Sequence, residues 1–158
     1  VYLIWKILHV IGVVLFLGNI ITGVFWAYHA DRARDPRIIA HAFEGISRSD
    51  RWFTMPGVIL LTVAGLAAAM SGGFPILRTG WIFWGLVLLI LSGLTFMFFV
   101  APLQRKISAL AHAGSTGQFD SARYDSLRRS WALWGSIATL APLAAVVLMV
   151  LKPILPAL

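Results

Sequence analysis

Four long stretches of this chain carry no Asp, Glu, Lys or Arg: residues 7–28, 53–70, 81–102 and 130–151. An α-helix needs ~20 mostly apolar residues to cross the ~30 Å hydrocarbon layer of a bilayer. Each stretch meets that length. A soluble helix would alternate an apolar stripe with a polar face, but these runs are apolar nearly all round. The expected fold is therefore all-α and membrane-embedded. It is one transmembrane domain over residues 1–158, a four-helix bundle with spans at about 2–29, 53–70, 81–102 and 130–151.

Charge sets the expected orientation. The net charge is +7, and only 12% of residues are charged. Arg32, Arg34, Arg37, Arg48 and Arg51 lie between the first two spans; Arg105, Lys106, Arg123, Arg128 and Arg129 lie between the last two. Only Lys6, Arg78 and Lys152 fall at the other end. Basic loops stay cytoplasmic, so both termini are expected outside. The basic charge then meets anionic lipid headgroups, and no nucleic-acid partner is expected. All six acidic residues fall in the two inner loops, which predicts a membrane core without a carboxylate and disfavours a proton-coupled transporter.

Seven tryptophans fit the same frame. Trp5, Trp81 and Trp84 mark outer helix ends, and Trp26, Trp52, Trp131 and Trp134 mark inner ends. Indole favours the headgroup layer. With no cysteine, disulfides and thiolate metal sites are excluded. The first apolar helix is too long for a signal-peptide core and is expected to be retained.

Punctuation along the chain is readable. Asp35-Pro36 reads as a helix N-cap followed by proline at the first helical position. Residues 36–47 then predict a short amphipathic helix lying on the inner membrane surface, with Ile38, Ala42 and Ile46 on one side and Ile39 and Phe43 close by. Asp50 is a candidate cap for the second span, with Pro56 inside its first turns. Gly72, Gly73 and Pro75 end that helix. The third begins near Gly80 and continues past Pro102. Residues 114–117 read as a flexible turn, and Asp120 as the cap of a last helix that starts inside the cytoplasm. Pro142 should kink that helix and free the carbonyl four residues back, with Ser136 and Thr139 satisfying the loosened backbone.

The first helix carries the candidate site. Trp5, His9, Gly12, Phe16, Asn19, Gly23 and Trp26 recur at spacings of three and four, which defines one stripe. Small and polar residues turn toward the bundle interior in lipid, so this is the expected buried face. His9 is the sole histidine within a span, roughly 10 Å from its outer end at 1.5 Å per residue. Imidazole can ligate haem iron or copper; it can equally sit neutral, hydrogen-bonded to a neighbouring helix. His29 lies about 30 Å further along and cannot share one metal with it. Met70 and Met149 fall at a depth comparable to His9, so a His/Met site is geometrically open. Asn19 is expected to bond across helices, to Ser92 or Thr139, with a substrate contact as the sharper option. P-loop, dinucleotide and HExxH motifs are absent.

These residues also carry a resemblance. Leu8-His9-Val10-Ile11-Gly12-Val13-Val14, followed by Tyr28-His29, resembles the first helix of the HemJ-type membrane protoporphyrinogen oxidases. Residues 51–56 resemble the arginine–aromatic–proline entry to their second helix, Gly80-Trp81 the start of the third, and Lys152-Pro153 the close of the fourth. The CopD-like copper-resistance membrane proteins belong to the same broad group. The chain also resembles a related family of small four-helix bacterial inner-membrane proteins of unknown function. The resemblance implies haem b at the position of His9. It does not carry over the oxidase activity, because Phe83, Gly85 and Phe96 stand where that group has histidine and lysine.

The expectation is thus a bacterial inner-membrane protein, binding haem or a metal through His9 with Met149 or Met70 near it. The alternative is a non-catalytic accessory subunit, associated with other membrane subunits or with copies of itself.

Overall fold

The structure, a computed structural model, describes residues 1–157 and contains no strand among them. Six α-helices follow one another: α1 Tyr2–Ala33, α2 Pro36–Ser49, α3 Met55–Ser71, α4 Gly80–Thr95, α5 Ala101–Thr116 and α6 Ser121–Leu151. Two π-helical turns, Asp50–Thr54 and Phe96–Val100, join α2 to α3 and α4 to α5. The chain therefore runs as four rods, Tyr2–Ala33, Pro36–Ser71, Gly80–Thr116 and Ser121–Leu151, each long and apolar enough to cross a membrane.

A proline explains each π turn. Pro56 and Pro102 lack an N–H, and their rings crowd the carbonyls four residues back, those of Trp52 and Phe98. Widening the preceding turn relieves the crowding. The Met55 N–H then donates to the Asp50 carbonyl, and the Ala101 N–H to that of Phe96, five residues back. Both rods stay continuous through a residue type that would otherwise break them.

The rods pair as two hairpins. α1 packs chiefly on α3, and α4 chiefly on α6, while α3 and α4 do not touch. Glycines set the first pairing. A Cβ added at Gly12 would stand 2.5 Å from the Leu61 nitrogen, and one at Gly57 would stand 3.0 Å from the Phe16 nitrogen. Backbones this close require residues without side chains. At the other end, α2, α5 and the start of α6 close over α1 around Ala27, Ile39, Phe43, Ile107, Tyr124 and Trp131. The Tyr124 hydroxyl donates to Asp31 at 2.9 Å, and the Phe43 and Trp131 rings meet edge to face. Arg34 pairs with Asp125, which raises the guanidinium pKa through the hydrogen bond and the charge; His112 meets Glu44. Both pairs are largely exposed and add little stability.

Several expectations hold and several shift. Asp35 caps α2 through the Arg37 N–H, and Asp120 caps α6 through the Arg123 N–H. The helix expected over residues 36–47 forms, but its apolar face does not lie free for a membrane surface. Ile39, Ala40, Phe43 and Ile46 are buried, and α2 packs on α5. Ile39, Phe43 and Ile46 of the expected apolar side are thus buried, while Ile38 is left exposed. Asp50 caps nothing, because the rod passes through it. Residues 114–116 continue α5 rather than forming the turn. The stripe of α1 holds through Gly12, Phe16 and Gly23, then follows Ala27 and Ala30. Trp26, the next residue expected on it, is 52% exposed.

Candidate functional site

Because α3 and α4 do not meet, the two hairpins leave a cleft between them at the end where the termini lie. Its volume is about 380 Å³. That falls within the ~300–1,000 Å³ range of small-molecule sites. Its walls come from α1, α3, α4 and α6 and are almost wholly apolar: Val10, Val13 and Phe16 face Leu86, Leu89 and Val146 across it. The polar side chains lining it are Tyr2, Lys6, His9, Thr62, Trp81 and Lys152.

His9 stands on the α1 wall. Its Nδ1 lies 2.6 Å from the carbonyl oxygen of Leu61 on α3. A carbonyl only accepts, so Nδ1 carries the proton and donates. Nε2 is then the nitrogen with a free lone pair. A histidine that ligates a metal almost always has this arrangement, one nitrogen fixed by an acceptor and the other left for the ligand. The hydrogen-bonded alternative drawn from the sequence therefore describes the same side chain, and does not exclude the ligand role. Gly65 makes the room, since a Cβ there would stand 2.7 Å from Nδ1.

The two methionines separate. Met149 lines the cleft with its methyl group over Gly85, where a Cβ would stand 2.5 Å from it. Met70 is 73% exposed and does not line the cleft. Met70 is the penultimate residue of α3, at a helix end that leaves its side chain exposed. Of the three positions compared above with the oxidases, Gly85 is a cleft wall, and Phe96 opens the second π turn. His29 stacks on Phe25 near the C-terminal end of α1, His41 is exposed, and His112 pairs with Glu44. Among the described residues no three His, Cys, Asp or Glu side chains converge on one point.

A second polar cluster was not foreseen. Asp50 is 8% exposed and sits inside the bundle. It accepts from Thr54 at 2.9 Å, from Asn19 at 3.2 Å and from Gln104 at 3.2 Å. Asn19 also donates to Thr54 at 2.8 Å. Asn19 therefore bonds across helices as expected, but not to Ser92 or Thr139. The carboxylate expected only in a loop is held among three helices by neutral donors. The sequence signal for it was the spacing of Asp50 and Thr54, one helical turn apart and just before an intrahelical proline.

Residues 3–153 match the profile of a family described as "Predicted integral membrane protein (DUF2269)". No curated protein and no solved structure matches the chain. With nearly its whole length matched, and four rods of membrane-spanning length and composition, the chain belongs to this family of predicted integral membrane proteins.

Proposed function

We propose that this integral membrane protein holds a haem-type tetrapyrrole in the cleft between its hairpins, where His9 would hold its iron through Nε2. The observation that carries the reading is the fixed tautomer of His9 on the wall of an apolar cavity. The donor set also fits. With no convergent cluster of metal-ligating side chains among the described residues, a bare ion has no cage. A macrocycle brings nitrogen ligands of its own and would ask the protein for only one or two more. His9 is the first, and Met149 lines the same cleft. Bound haem would supply redox or small-ligand chemistry; the chain itself supplies orientation, an apolar wall and exclusion of water. The likeness of the first helix to the HemJ/CopD-like group supports the same position.

The basic asymmetry supports an orientation with both termini outside, which would set the cleft in the outer leaflet, and the family resemblance supports a bacterial inner membrane. Phe83, Gly85 and Phe96 stand where the oxidases that the chain resembles have histidine and lysine, so the reading is of a binding protein rather than an oxidase.

Purified protein expressed with added haem precursor should show a Soret band that His9→Ala removes or shifts. Colourless protein that co-purifies with a stoichiometric membrane partner would overturn the reading in favour of an accessory subunit.

A further inference from the structure

We infer that Lys6 and Lys152 form an anion clamp at the mouth of the cleft, which makes it a site for an amphiphile with an apolar body and an anionic carboxylate or phosphate head. The proposal uses the cleft described above, but it stands on the two lysines and not on metal ligation by His9.

Both lysines line the cavity, Lys6 from the first turns of α1 and Lys152 from the end of α6. Each ammonium group is held near an aromatic face. Lys6 Nζ lies 5.9 Å from the centre of the Tyr2 ring, and Lys152 Nζ lies 5.3 Å from that of Trp81. An aromatic face attracts an ammonium group without accepting its N–H bonds in the manner of a carboxylate, so donors remain for a ligand.

Neither lysine makes an ion pair among the described residues. The reason is in the sequence. Asp31, Asp35, Glu44, Asp120 and Asp125 lie at the opposite end of the rods, and Asp50 is held midway along them by Asn19, Thr54 and Gln104, so none of these carboxylates pairs with either lysine. Two cations at the rim of an almost wholly apolar cavity complement one kind of molecule, a hydrophobic body ending in negative charge. A neutral lipid would satisfy the walls and leave the ammonium groups unmet. A free anion would meet the ammonium groups and leave the walls empty.

The backbone fixes one half of the clamp. Lys152 has φ of 47° and ψ of 51°, a left-handed conformation that a side chain disfavours, and its N–H caps the Leu148 carbonyl. Pro153 follows and prevents the helix from continuing. The tail then returns over α4, where Trp84 Nε1 donates to the Pro156 carbonyl at 2.9 Å. Lys152 is thereby held at the rim by contacts on both sides of it in the chain. Glycine is the usual residue at such a position, so the lysine is present despite a local cost.

The test compares a fluorescent polyene fatty acid with its methyl ester, titrated into detergent-solubilised protein. Wild type should bind the acid at least ten-fold more tightly than the ester. The double variant Lys6→Gln/Lys152→Gln should bind the two alike, with ester affinity unchanged. His9→Ala should keep the preference for the acid; loss of haem binding with retained preference would then separate the two readings. Competition with nanodiscs of phosphatidylglycerol against phosphatidylcholine distinguishes a phospholipid head from a free carboxylate as the natural source. Equal binding of acid and ester by wild type, or a preference that survives the double lysine variant, overturns the clamp.

Discussion

The Ser92 hydroxyl on α4 donates to the Ala138 carbonyl on α6 at 2.6 Å. That carbonyl is the one that Pro142 deprives of its helical partner four residues on. The sequence assigned the repair to Ser136 and Thr139. Those hydroxyls instead bond within their own helix, to Ala132 and Gly135. A freed carbonyl inside a bundle thus becomes the glue of the second hairpin.

Ser92→Ala should accordingly cost about 1 kcal/mol of stability, in the range seen for interhelical bonds in membranes. Pro142→Ala returns an N–H to position 142 and so a partner to Ala138. The cost of Ser92→Ala should then shrink in the Pro142→Ala background. A double-mutant cycle read from unfolding in detergent measures this coupling. Strict additivity of the two changes would show that the Ser92 bond does not depend on the carbonyl that Pro142 frees.

Gly12 is the closest point of the first hairpin. Gly12→Leu drives a side chain into the Leu61 backbone, 2.5 Å from where its Cβ would begin. Backbone cannot move aside as a flexible side chain can, so the helices must separate. The expected loss is about 1–3 kcal/mol, typical of overpacking. Gly18 is the control, since nothing lies within 4 Å of a Cβ there. Gly18→Leu should leave the melting temperature almost unchanged, and equal effects at the two glycines would disprove the packing assignment.

Asp50 ties three helices through Asn19, Thr54 and Gln104. Asp50→Leu would remove the acceptor that Thr54 and Gln104 use in a buried site, while Asn19 keeps its bond to Thr54. A loss of about 2–3 kcal/mol is expected, since each unmet buried donor carries its own desolvation cost. Asp50→Asn keeps one acceptor oxygen and should cost less. If Asp50→Leu raises stability instead, the carboxylate is retained for a purpose other than holding the bundle.

How much of this was legible follows from what each feature depends on. The four rods were readable because charge-free runs of this length have few other fates. The caps at Asp35 and Asp120 were readable because capping is local. The α1 stripe was readable up to Gly23 for the same reason that it packs: small and polar residues at helical spacing. The pairing into hairpins was not, because it rests on which glycine meets which backbone. Gly65 opposite His9, and Gly85 opposite Met149, are coincidences of three-dimensional register that no single stretch encodes. Asp50 was misplaced because its charge put it in a loop, while the proline-widened turn beside it carries the helix straight through. Met70 and Met149 had equal standing by depth, and only the rotation of α3 and α6 separates them.

Orientation rests on the ten-to-three distribution of basic residues and is open to direct test. A reporter fused after Ala157 should read as external, and one inserted near Thr116 as cytoplasmic. The reverse pattern would put the cleft, with His9, Lys6 and Lys152, in the inner leaflet.

Gly65 offers a way to move His9 without replacing it. Gly65→Ala would place a methyl group 2.7 Å from Nδ1 and 3.0 Å from Cε1 of the imidazole. The ring must turn, and its bond to the Leu61 carbonyl weakens or breaks. Outer partners of this kind typically matter 10–100-fold in metal affinity. Haem affinity should therefore fall by about ten-fold or more, with a shifted Soret band, although the ligating side chain is still present. Gly85→Ala is the matched comparison. Its methyl would meet Met149 Cε at 2.5 Å, the free end of a flexible side chain, which can swing away. It should leave affinity nearly unchanged if His9 alone dominates binding. Equal haem affinity in wild type and Gly65→Ala would show that the orientation of His9 by Leu61 has no part in holding the ligand.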